Sequence, residues 1–193
     1  IKDRYIHYVE IEKIFITHDL TTMNIISDNR YVQNGLLEFF FNSSNGNFFY
    51  NDTNIIIITT NILFDGVFFF KKSIVSDSGR YIVFSNKRIK EIISGTISKN
   101  CSFYDISELK DYQSLANINS APVHMKKYNF PVKDKNLIEY KVALYYVSGL
   151  SFVDIAQIIN KDIKAISYYV KKMLVRYKLT NKIALYLKLM LLL

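Results

Sequence analysis

A single cysteine, Cys101, among 193 residues rules out any disulfide within the chain, and the near absence of thiols fits a reducing compartment, the cytoplasm. The three histidines, His7, His18 and His124, lie too far apart in sequence to form a zinc-ligand pattern. There is no tryptophan, and the only two prolines, Pro122 and Pro131, fall in one stretch. Neither the phosphate-cradling G-x-x-x-x-G-K-[ST] loop nor a G-x-S-x-G nucleophile elbow is present. Enzymatic chemistry, a cofactor and a metal centre are therefore not expected. The longest apolar run, Ile55 to Phe70, is broken by Asn61, Asp65 and Gly66 and falls short of the roughly 20 apolar residues of a spanning helix, so no membrane segment is expected. The residues after Ile1 lack the basic-then-apolar pattern of an export signal.

What is present is apolar bulk and lopsided charge. Half of the residues are apolar, enough to bury a core in one or two small domains. The abundance of Phe, Tyr, Ile, Asn and Lys suggests base-stacking platforms at first sight; an AT-rich coding sequence explains the same bias more plainly. The formal net charge is +8. From Val132 onward eleven Lys/Arg face four acids, a net of +7, whereas the preceding residues hold 14 against 13, a net of +1. A basic surface concentrated at one end is the footprint of a phosphate-binding module joined to a neutral partner domain.

That end also carries the clearest pattern. Leu150, Ile155, Ala156 and Ile159 share one helical face. Ile166, Tyr169, Val170, Met173, Leu174 and Tyr177 share a second, and Asn160-Lys-Asp162 separates the two as a tight turn. Ser151 with Asp154 three residues on makes a capping box, Asp162 can cap the second helix, and Asn160 tolerates a left-handed turn conformation. This is the pattern of a helix-turn-helix. The second helix, expected over Ile163 to Tyr177, turns Lys164, Ser167, Tyr168 and Lys171 away from its core face, where they can read base edges in a major groove. Lys161, Lys172, Arg176, Lys178 and Lys182 lie at the flank or beyond and suit phosphates. In the final helix Ile183, Ala184, Leu187, Met190, Leu191 and Leu193 form an apolar face wide enough to cover the core and also to contact a second molecule; Ile183, Leu187, Met190 and Leu191 are the expected dimerisation residues.

Gly149-Leu-Ser, Asp154-Ile-Ala, Ile159, Lys164-Ala-Ile, Val170, Leu174 and Asn181, with Glu139 in the first helix, resemble the skeleton of the LuxR/NarL-type DNA-binding domain from about Asn136 to Leu185. Gly149 and Ala156 fall on that family's small-residue positions, where backbones approach closely. Asn160 stands in place of the usual turn glycine, Lys161 in place of an apolar residue and Tyr169 in place of a common histidine. The turn asparagine and the tail from Asn181 look most like the capsule-regulator (Rcs) branch. The resemblance implies duplex DNA as partner, a homodimer or a heterodimer with another regulator of this type, and RNA polymerase as a further contact.

Upstream, Lys13 to His18 reads as a buried strand, Leu20 to Tyr31 as a weak helix and Leu36 to Phe41 as strand or helix end, before a loop at Asn42 to Asn47. Asn54 to Thr60, with four consecutive isoleucines, suits a strand covered on both faces of a parallel sheet. Arg80 to Ser85 is a further strand, Lys87 to Ser94 a helix, Cys101 to Asp105 a strand and Ile106 to Leu115 a helix. Asp52, Asp65 and Asp77 read as loop acids. The expected architecture is α/β: a receiver-like open parallel sheet over residues 1–116, a linker over 117–134 and an all-α helix-turn-helix domain over 135–193.

A neutral α/β domain ahead of a LuxR/NarL-type module resembles a response-regulator receiver. Phosphoryl chemistry there needs an acceptor carboxylate, an acidic pair for Mg²⁺ and a lysine. Here the central strand ends in Thr59-Thr60-Asn61, the first strand leads into His18-Asp19 and the last into Tyr104 to Ser107 without a lysine, while Ser85 falls at the switch-hydroxyl position. A receiver-like fold kept for protein contacts is the expectation. The alternatives are an adaptor acting on another regulator or RNA polymerase with little DNA binding of its own, and, less favoured, a small-molecule sensor as in quorum-sensing LuxR proteins, whose pockets commonly contain tryptophan.

Overall fold

Runs of β-branched and aromatic residues set the strands, and three- and four-residue apolar spacing sets the helices. The computed structural model of the chain describes residues 14–18, 21–42, 53–74, 80–96, 101–108 and 137–193. Its elements are β1 (Ile14–His18), β2 (Thr21–Ser27), α1 (Arg30–Asn42), β3 (Thr53–Ile58), α2 (Leu63–Ser73), β4 (Arg80–Ser85), α3 (Lys87–Ile93) and β5 (Cys101–Asp105). A 3₁₀ turn at Ile106–Glu108 is followed by α4 (Ile138–Val147), α5 (Phe152–Ile159), α6 (Ile163–Arg176) and α7 (Lys182–Leu192). The chain divides into two units, residues 1–87 with 99–123, and residues 88–98 with 124–193. The expected linker, 117–134, lies outside the described residues.

The fold is α/β. Five strands lie in the order β1-β2-β3-β4-β5, with β2 to β5 parallel and β1 an antiparallel edge paired to β2. Ile55 to Ile58 are fully buried because both faces of the sheet are covered, as the isoleucine run requires. Ile25, Ile55, Ile57, Ile82 and Phe84 form one core, against which Val32 and Leu36 of α1 pack. On the other face Ile26, Ile56, Val83 and Phe103 are in register, and Phe70 of α2 meets Phe103 at a ring separation of 5.9 Å.

Two expectations are corrected and one that was left open is decided. Thr21 to Ser27 is a strand, not part of a helix, because it is the inner neighbour of β3 and Asn24 donates a 2.8 Å hydrogen bond to Asn54 across the pair. Leu36 to Phe41, expected as strand or helix end, lies in the last part of helix α1. Leu63 to Ser73 is a helix, so Asp65 sits in a first turn rather than a loop. Of the helix expected from Ile106 to Leu115, residues 106–108 form the 3₁₀ turn and the rest lies outside the described residues, as do the loop residues 43–47, Asp19, Asp52 and Asp77. Among the described residues no helix is long and apolar enough to cross a membrane.

In the second unit the helix ends explain themselves. Ser151 and Asp154 close a reciprocal capping box on α5, Asp162 accepts from the Ala165 amide at the start of α6, and Asn181 accepts from the Ala184 amide at the start of α7. Gly149, Asn160 and Lys178 adopt positive φ of 82°, 55° and 55°, terminating α4, α5 and α6. Each end repeats one pattern: the amide of the left-handed residue bonds back three residues, and the next amide bonds back five, to Tyr145, Ala156 and Leu174 in turn.

Candidate nucleic-acid interface

The core face of α6 is Ile166, Val170, Met173 and, just beyond, Tyr177, all buried. That leaves Lys164, Tyr168 and Lys171 exposed on the opposite side, with Ser167 half-buried beside them. Tyr168 is 61% exposed and stands edge-on to Tyr169 at 5.7 Å, so a large aromatic is held out from the helix rather than folded onto it. Lys161, in the turn before α6, is also exposed. The structure thus brings the four expected base-facing residues to one side of α6, with Lys161 exposed in its leading turn.

The other expected phosphate contacts are arranged differently. Arg176 grips Glu139 of α4 with both guanidinium nitrogens, and Lys172 approaches the same carboxylate at 3.3 Å. Glu139 is buried, so these two cations balance a charge that water does not reach well. Lys178 is exposed in the left-handed position that ends α6. Lys182 lies 4.8 Å over the Phe152 ring, with its charge at the surface. Helical spacing sets Arg176 at the flank of α6, and the carboxylate that claims it is 37 residues away.

Of the expected dimerisation residues, Ile183 is 67% exposed, Met190 and Leu191 are half-buried, and Leu187 is buried in its own unit. Gly149 also needs a correction. A Cβ there would meet nothing within 4 Å, so the glycine serves the positive φ and not a close backbone approach.

Lys188, on α7, is fully buried and was not singled out from sequence. Its ammonium donates to the carbonyls of Glu91, Ile92 and Ser94 at 3.0, 3.0 and 2.7 Å, satisfying the unpaired end of α3. Burial pushes its pKa down to about 8. The Tyr177 ring lies 5.9 Å away, and burial pushes that phenol up to about 12.

At the C-terminal ends of the parallel strands, Asp28 follows β2 and accepts from the Thr59 amide, the Thr59 hydroxyl and the Thr60 amide at 2.7, 2.8 and 2.9 Å. The carboxylate facing the end of β3 is therefore Asp28, since His18 ends the edge strand. The signal for it was the turn-forming Ser27-Asp28-Asn29 directly after Ile25 and Ile26. Asn86 donates to the Thr60 carbonyl at 3.0 Å, Ser85 is buried, and Asp105 accepts from the Ser107 amide and hydroxyl. The Cys101 thiol is pushed up to about 12 by burial, which suppresses the thiolate. Among the described residues no group of three or more His, Cys, Asp or Glu could hold a metal ion.

No family model, no curated protein and no solved structure matches this chain.

Proposed function

We propose that this chain is a cytoplasmic DNA-binding transcriptional regulator. In this reading α5, the Asn160–Asp162 turn and α6 act as a LuxR/NarL-type helix-turn-helix, and α6 enters the major groove. The observation that carries it is the outward side of α6, where Lys164, Tyr168 and Lys171 stand exposed opposite a fully apolar face. Lysine can donate to guanine acceptors and tyrosine can meet a thymine methyl or a phosphate. Lys161, Lys178 and Lys182 supply charge that holds the backbone without distinguishing bases. The sheet unit is read as a receiver-like fold without phosphoryl chemistry: Thr59 stands where an acceptor carboxylate belongs, and Asp28 is engaged by three donors from the end of β3. Its role is then contact with a second copy or another regulator.

Selection from random duplexes with the full chain tests this reading. A recovered consensus should bind less tightly as salt rises. Lys171→Ala should cost about 1–3 kcal/mol on the consensus and relax preference at one base position. Failure to enrich any sequence, with no salt-dependent duplex binding, would favour the adaptor. A specific feature supports that second reading: α5 holds Val153 and Ile158 about half exposed, at 49% and 53%, an apolar surface suited to protein.

A further inference from the structure

The sheet unit carries an exposed aromatic face that matches itself. On α2 the buried residues are Gly66, Val67, Phe69, Phe70 and Ser73, which leaves Phe64, Asp65, Phe68, Lys71 and Lys72 on the opposite side. Phe64 and Phe68 are 53% and 44% exposed, and Ile62, at the helix start, is 60% exposed. The two rings stack on each other at 6.4 Å with an interplanar angle of 10°, and the Lys72 ammonium lies 4.9 Å from the centre of the Phe68 ring. The pair therefore forms one exposed aromatic patch with an acid near one end and cations at the other.

We propose that this face is a homodimer contact in which α2 packs antiparallel against α2 of a second copy. A two-fold axis at Phe68 sets Phe68 against its own counterpart, Asp65 against Lys71 and Phe64 against Lys72 of the other copy. Each end then brings an acid to a cation and an ammonium to an aromatic ring, the same geometry Lys72 already adopts over Phe68 in its own chain. The order of charge along the helix selects the antiparallel pairing with a second copy, since an in-register parallel arrangement would set Asp65 beside Asp65 and Lys71 beside Lys71. A face of this kind has no such fit to an unrelated apolar groove. The contact is weak. Three half-exposed side chains on each copy amount to about 600 Å² of apolar surface, below the roughly 1,200 Å² of a stable interface, so α2 pairing alone gives a weak, concentration-dependent dimer.

Sedimentation equilibrium on the full chain from micromolar to millimolar concentration tests the contact, independently of any DNA binding. Wild type should self-associate, and Phe68→Asp should raise the dissociation constant at least tenfold with unchanged circular dichroism. Asp65→Lys and Lys71→Asp should each weaken association about threefold, and the double variant, self-complementary again with its charges exchanged, should recover most of it. A chain that stays monomeric at millimolar concentration overturns the proposal. So does association that Ile183→Asp abolishes while Phe68→Asp leaves it intact, or a double charge exchange no better than the single changes.

Discussion

The two units close their polar groups over different distances. In the helical unit, helix starts are capped from within three residues by Ser151, Asp162 and Asn181, and helix ends by the left-handed Gly149, Asn160 and Lys178. The sheet unit has local caps too, Asn29 accepting from the Tyr31 amide at the start of α1 and Asp105 from the Ser107 amide. Its strand ends, however, are tied by bonds that reach 26 to 32 residues along the chain, from Asp28 to Thr59 and Thr60, Asn24 to Asn54 and Asn86 to Thr60. A local cap forms as its helix forms and is replaceable one residue at a time. A strand-end contact exists only once the sheet has assembled, so removing one partner strands the other inside the fold. Two contacts of the helical unit share that second character, Glu139 with Arg176 and Lys188 with the end of α3.

The largest effect should follow loss of Asp28. Asp28→Ala leaves two amides and a hydroxyl without their acceptor and should cost about 3 kcal/mol in urea denaturation, with Asp28→Asn in between. A loss of only the roughly 1 kcal/mol typical of a helix cap would break the comparison. Arg176→Ala should cost about 2 kcal/mol, reduced because Lys172 remains near Glu139, and Glu139→Gln should recover part of it. Loss of DNA binding in Arg176→Ala that exceeds its loss of folded protein would return this residue to phosphate contact.

Lys188 sharpens the comparison through pH. Its folded pKa is lowered, so the unfolded chain binds more protons above about pH 8, and stability rises with pH up to the ordinary lysine value. Between pH 8 and 9 Lys188 should contribute a gain of about 1 kcal/mol, part of it offset by Cys101, whose unfolded thiol already begins to ionise in that window, while Tyr177 opposes it only nearer pH 10. Denaturant titrations of wild type and Lys188→Met check this, since the variant should lose that rise. The smallest effects belong to the local ends: Lys178→Gly and Asn160→Gly should each raise stability by about 0.5–1 kcal/mol by relieving positive φ, visible as a small increase in melting temperature.

This difference in range also governs how much was legible from residues alone. The capping box at Ser151, the Asp162 cap and the left-handed Asn160 are written within a few positions of the bonds they make. Ile55 to Ile58 and Arg80 to Ser85 announce buried strands through composition. β2 did not, because Thr21-Thr22-Met23-Asn24 is polar and becomes a strand through pairing with β3, including Asn24 on Asn54. α2 was hidden because it begins without a side-chain cap, holds Gly66 inside and follows the isoleucine run with little break. At the candidate interface, periodicity was enough to turn Lys164, Tyr168 and Lys171 outward. It could not reveal that Arg176 and Lys172 converge on Glu139, nor that Lys188 is buried, since those partners lie 33 to 97 residues away.

The anchoring of α3 by Lys188 has a temporal consequence. Glu91, Ile92 and Ser94 are synthesised about a hundred residues ahead of the amine that caps them, which at roughly 5–20 residues per second is an interval of about 5–20 s. Through that interval the end of α3 has only water for its carbonyls. The unit that includes residues 88–98 is therefore completed only once Lys188 has left the ribosome, and a chain interrupted before that residue carries α3 with an unfinished end.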